Sequence, residues 1–186
     1  MTLFLLGLIV FFGAHLFTAF ARGPRAGLIA KLGAGPYKGL YSLVSLAGFI
    51  LIIVGWRTAD ASILYATPAW TRHVTYILVL IAFIVLASAY VPAGKIAAAV
   101  KHPMLAGVKL WAFAHLLVNG EVRSVLLFGA FLAYAVIDRI AVKKRGEAGR
   151  AAGPVKNDII AVAAGVLAFA AVALYGHRYI AGVALF

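Results

Sequence analysis

The 186 residues are 65% hydrophobic and only 12% charged, and the chain contains no cysteine. A soluble domain is nearer half apolar and a quarter charged, and its apolar residues do not run on as these do. Without cysteine there are no disulfides, thiolate metal sites, iron–sulfur clusters or covalent C-x-x-C-H haem attachment, so histidine is the strongest ligand available. The formal charge of +12 is gathered in short clusters between apolar runs. That is how the positive-inside rule distributes charge, and it is not the continuous basic face of a nucleic-acid binder.

About 20 helical residues cross a bilayer core. Thr2–Ala21 meets that length with His15 as its only ionisable side chain. Arg22 and Arg25 follow the apolar run rather than precede it, the reverse of a signal peptide, so a retained span is expected. Residues 22–38 then form a basic loop. Gly39–Trp56 is the second span, and Tyr41, Ser42 and Ser45 give it one polar face. Ala59–Trp70 is a loop with interfacial aromatics. His73–Val91 is the third span, stopped by Pro92.

A weaker fourth segment lies at 103–119, short and interrupted by Lys109 and His115. Val122–Val142 and Asp158–Gly176 complete the set, joined by a flexible basic loop over Gly146–Pro154. Asn157 and Asp158 are suited to capping the last helix. The expected fold is all-α, a single integral membrane bundle of about six transmembrane helices over residues 1–186. Basic residues concentrate in loops one, three and five, which six crossings place together in the cytoplasm, with both termini outside. Five crossings would break that alternation.

Ionisable groups inside spans are costly and point to function. His73 and His177 lie at helix ends, where water solvates them. His102 precedes Pro103 at a helix mouth and is either an entry residue or a ligand. His15 and His115 lie within apolar helices and need partners. They are either hydrogen-bonded to a neighbouring helix, through Tyr41, Ser42 or Ser45, or they are axial ligands of a haem iron. Gly13, Ala14, Ala112 and Ala114 would let a flat macrocycle approach them, although small residues also serve ordinary helix packing. Lys109 is a snorkelling residue or the partner of a haem propionate. Tyr134 and Asp138 form an i, i+4 polar pair, and Glu121 sits in a solvated turn.

The stretch Lys101-His-Pro-Met-Leu-Ala-Gly-Val-Lys-Leu-Trp-Ala-Phe-Ala-His-Leu-Leu-Val-Asn-Gly120 resembles the NnrU family of bacterial membrane proteins. Phe12-Gly-Ala-His15, Tyr37-Lys-Gly-Leu-Tyr-Ser-Leu-Val-Ser45, Asp138-Arg139 and His177…Gly182-Val183 extend the resemblance over nearly the whole chain. It implies a bacterial inner-membrane protein associated with denitrification and nitric oxide metabolism. It also implies kinship with the plant 15-cis-zeta-carotene isomerase, which uses haem b held by histidines. Those histidines fall on His15 and His115 here, with His102 as the alternative ligand by depth. Ala112 stands where the plant enzyme has a cysteine that serves as an alternative ligand, so that ligand switch is missing.

The leading expectation is a lipid-embedded haem-b protein with two histidine ligands and a redox partner or membrane complex. The alternatives are a carotenoid cis–trans isomerase-like enzyme and a haem-free accessory protein that helps assemble a membrane complex.

Overall fold

The computed structural model describes residues 1–186, all of them helical or in short connections, and divides into two compact units, Met1–Ser62 and Ile63–Phe186. Five helices are long and apolar enough to cross a membrane. Their outward faces are apolar: Ile9, Leu43 and Leu167 each leave about two-thirds of their surface uncovered. Such a surface is stable only against lipid tails.

The first unit contains α1 (Thr2–Phe20), α2 (Arg22–Leu32) and α3 (Ala34–Trp56). The expected basic loop at 22–38 is therefore mostly helix: α2 occupies most of it, and α3 starts five residues before Gly39. α1 and α3 run antiparallel. The Met1 amine donates to the Thr58 carbonyl at 2.9 Å, Gly55 abuts Phe4, and Gly48 abuts Phe11. A Cβ on Gly55 would lie 2.3 Å from the Phe4 amide nitrogen, and one on Gly7 would lie 2.5 Å from that of Ile52. Lipid tails are as apolar as leucine, so helix association here depends on such close backbone contact. Phe4, fully buried, packs edge-on against Trp56 at 5.9 Å.

The second unit holds α4 (Thr71–Tyr90), α5 (Lys95–Val100), α6 (Pro103–Leu116), α7 (Val122–Lys144) and α8 (Val155–Ala171). The last helix continues through a π-helical turn, Val172–Gly176, into α9 (His177–Ile180). α4 packs between α6 and α8, and α7 packs on α6. Each neighbour is antiparallel. Along α4, Met104 lies by Tyr90 and Ala114 by Thr75. Against α7, Trp111 meets Phe131 and His115 meets Phe128.

The weak segment at 103–119 yields α6, only 14 residues long and so about 21 Å. It nevertheless carries the chain from the Tyr90 end of α4 to the Thr75 end. The bonds at its C-terminus make this short helix tenable, because the last four carbonyls of a helix have no partner within it. The Thr75 hydroxyl donates to Ala114 O at 3.0 Å, Asn119 Nδ2 donates to His115 O at 2.8 Å, and the Tyr65 hydroxyl donates to Leu116 O. Leu64 N–H then donates to Gly120 O at 2.7 Å, stitching the loop before α4 onto the turn after α6. A side chain on Gly120 would strike the Tyr65 carbonyl oxygen, 1.9 Å from its Cβ. Glu121 accepts from Arg123 Nε at 2.7 Å, so it is paired as well as partly exposed.

The opposite end of this unit departs from expectation. The segment Gly146–Pro154, read as flexible, is docked. Arg150 Nη1 donates to Ser88 O at 2.7 Å and Ala89 O at 3.0 Å, and Nη2 donates to Val91 O at 3.0 Å. One guanidinium thereby terminates α4 where Pro92 forbids continuation. Asn157 and Asp158 are not the cap of α8, whose N-cap is Pro154. Asn157 Nδ2 donates to Ala93 O at 2.8 Å. The Asp158 carboxylate instead caps α5, accepting from the N–H groups of Lys95 at 3.0 Å and Ile96 at 2.9 Å. Arg150→Met should cost about 2 kcal/mol, since it strands carbonyls that pair with a charged donor. Arg150→Lys should recover little of that, because a point charge cannot span three acceptors. Reversible unfolding in mixed micelles measures both.

Candidate functional site

His15 sits one turn from the end of α1, half-buried in the first unit. Its Nδ1 lies 2.7 Å from Phe11 O, four residues earlier. A carbonyl only accepts, so Nδ1 carries the proton and, in the neutral ring, Nε2 carries the lone pair. The ring stacks on Phe11 at 4.2 Å and tilts against Tyr41 at 5.5 Å. Ser45, one turn beyond Tyr41 on α3, has a buried hydroxyl oxygen with no hydrogen-bond partner. A Cβ built on Gly13 would meet nothing within 4 Å, so that side of α1 is open. Ser42 is exposed, and does not share the face of Tyr41 and Ser45.

His115 is held in the same way in the second unit. Its Nδ1 lies 2.8 Å from Trp111 O, again four residues earlier, which leaves Nε2 as the acceptor nitrogen. Phe128 stacks on one face of the ring at 4.5 Å, and Trp111 lies at 4.9 Å. The acceptor of Nδ1–H is therefore a backbone carbonyl of the same helix in both cases, while Tyr41 of α3 also lies against the His15 ring. This is the arrangement that fixes the tautomer and orientation of a metal-binding histidine. Ala112, one turn before His115, is fully buried.

The other candidates are placed apart from His115. His102 is the N-cap residue of α6, 13 residues from His115 on the same helix, or about 20 Å away. Burial, and then the nearby Arg139 cation, hold its imidazole below the usual range, so it is predominantly neutral. Lys109 is half-buried on α6 between the two. His73 is exposed in the first turn of α4. His177 donates Nδ1–H to Val183 O at 2.8 Å and ties down the C-terminal tail, where Phe186 stacks on Tyr76 at 5.5 Å. Tyr134 and Asp138 meet at 3.5 Å.

No three histidine or acidic side chains converge as a bare metal ion would need. A macrocycle places a smaller demand on the chain, because it brings its own equatorial nitrogens and takes only axial ligands from the protein. In the first unit, the oriented His15 imidazole and the orphaned Ser45 hydroxyl fit such a group. In the second unit, the oriented His115 imidazole fits it as a single ligand.

Apolar helices of spanning length, close glycine contacts and satisfied helix ends define a polytopic α-helical membrane protein. A family model described as NnrU protein matches residues 3–185, and the chain belongs to the NnrU family. No curated protein and no solved structure matches it.

Proposed function

We propose that this protein is a haem-b-binding membrane protein, and that His15 and His115 would hold the haem through Nε2. The observation that carries the reading is the shared tautomer: each imidazole lies in an apolar helix with Nδ1–H bound to the carbonyl four residues earlier. That bond leaves Nε2 of each ring as the nitrogen that would meet the iron. Bound haem b would supply a one-electron iron couple suited to redox work, and nitric oxide would bind only where one of the two histidines releases the iron.

The chain's own contribution is orientation and exclusion of water. Phe11 and Phe128 brace the two rings, and the helix carbonyls fix Nδ1 as the protonated nitrogen of each. Ala112 offers no sulfur, so ligation rests on nitrogen alone. Protein purified in mild detergent should show up to one acid-acetone-extractable haem per chain and a low-spin spectrum. A folded, colourless preparation from haem-supplemented cells would favour an accessory role in assembling a membrane complex instead.

The charge distribution sets the proposed topology. In the second unit Lys95, Lys101, Lys143, Lys144, Arg145, Arg150 and Lys156 belong to the end where α4 stops and α8 starts. Arg72, Arg123 and Arg178 belong to the other. In the first unit α2 carries Arg22, Arg25 and Lys31. The positive-inside rule sends the basic ends to the cytoplasm and both termini outside. A reporter active only outside the membrane should give signal when fused at the C-terminus and none when inserted at Gly149. The reverse pattern refutes this orientation.

A further inference from the structure

Arg25 of α2 has a buried guanidinium nitrogen with no acceptor. Its guanidinium lies over the Tyr37 ring at 5.6 Å, and its Nε is buried with no hydrogen-bond partner. A buried charged donor without an acceptor is uncommon and costly. The first unit holds five cations, Arg22, Arg25, Lys31, Lys38 and Arg57, but only one acid. That acid, Asp60, lies beyond the far end of α3 and is bound by Ser62 N–H at 2.8 Å and the Ser62 hydroxyl at 2.6 Å.

The position of Arg25 relates it to His15. Tyr37, Tyr41 and Ser45 are spaced i, i+4, i+8 along α3 and so share one stripe. Arg25 lies against Tyr37, and His15 lies against Tyr41. The two tyrosines against which the guanidinium and the imidazole lie are thus one helical turn, about 6 Å, apart along α3. Ser45, the other unpartnered buried polar group of the unit, is one turn further on.

We propose that Arg25 binds a propionate carboxylate of the haem whose iron His15 ligates, an inference that rests on the haem reading above. The macrocycle carries its carboxylates at one edge on short flexible arms, which suits a cation and an axial ligand held against tyrosines one turn apart. A guanidinium fits a carboxylate through two parallel N–H donors, and Nε supplies one of them. Arg25, rather than Lys109, is then the anchor of the acidic edge.

The test titrates full-length apoprotein in mild detergent, from haem-deficient cells, with haem b and separately with haem b dimethyl ester, whose propionates are uncharged. Visible absorbance reports both. Wild type should prefer the free acid by about tenfold or more, as expected for loss of a charge-assisted bond. Arg25→Gln should bind both forms alike, at the affinity wild type shows for the ester, and Arg25→Lys should keep part of the preference. Equal wild-type affinity for acid and ester overturns the inference whether or not the variants fold. An undiminished preference in a helical Arg25→Gln protein also overturns it, leaving a lipid phosphate as the partner of Arg25. A wild-type chain that takes up neither form refutes the haem reading itself, a distinct failure.

Discussion

His15→Ala and His115→Ala are each expected to abolish the low-spin haem spectrum, either through loss of haem or through conversion to a high-spin form. The size of the effect follows from ligand count. Nothing else on α1 offers a nitrogen or sulfur lone pair, and on α6 the next histidine, His102, lies about 20 Å from His115. Neither variant should unfold the protein, because both rings bond to their own helix and no other helix end depends on them. His73→Ala should leave the spectrum unchanged, since that ring is exposed in the first turn of α4. His177→Ala should also keep it, while loosening the tail anchored at Val183. His102→Ala discriminates between the candidate ligands. If it removes the low-spin signal while His115→Ala retains it, the iron lies nearer the basic end and the assignment fails.

Gly55→Ala is expected to be the most disruptive single methyl group in the first unit. The added carbon would lie 2.3 Å from Phe4 N, 2.6 Å from Phe4 Cα and 2.8 Å from Leu3 C. All three atoms are backbone, so no rotamer change relieves the clash and α1 must move off α3. Overpacking in a tight core costs about 1–3 kcal/mol, and rigid backbone places this case at or above the upper end. Gly39→Ala on the same helix is the control. Nothing lies within 4 Å of its Cβ, so the better helix propensity of alanine should stabilise α3 by up to about 1 kcal/mol. Thermal unfolding in detergent should move in opposite directions for the two. Equal shifts would show that the α1–α3 contact does not depend on glycine.

Much of this protein is legible in one dimension. Apolar runs of span length exist only to meet lipid, so the all-α membrane class and the approximate positions of the long helices follow from composition and spacing. The two histidines within apolar runs also stand out, because an imidazole in an apolar run is costly wherever the helix is placed. The family was recognisable from the residues around His115, and the match over residues 3–185 bears that out.

What local pattern could not supply were partners distant in sequence. α6 is too short for a span by counting, and only its contacts show why it is stable: Thr75 and Tyr65 reach its carbonyls from 39 and 51 residues away. The loop at 146–154 looked mobile because glycine and charge suggest solvent, yet Arg150 is consumed by carbonyls 59 to 62 residues earlier. Asp158 had the chemistry of a cap but served a different helix, because a carboxylate satisfies whichever N–H groups the fold brings to it. Spacing left the acceptor of each histidine N–H open between a neighbouring helix and a backbone carbonyl, and the structure shows the carbonyl four residues back in both cases, with Tyr41 of α3 also against the His15 ring. Composition and hydropathy mark the five long apolar helices. Where each helix stops, and which polar group answers which, are settled by tertiary contact, because a hydrogen bond depends on distance in space and not on separation along the chain.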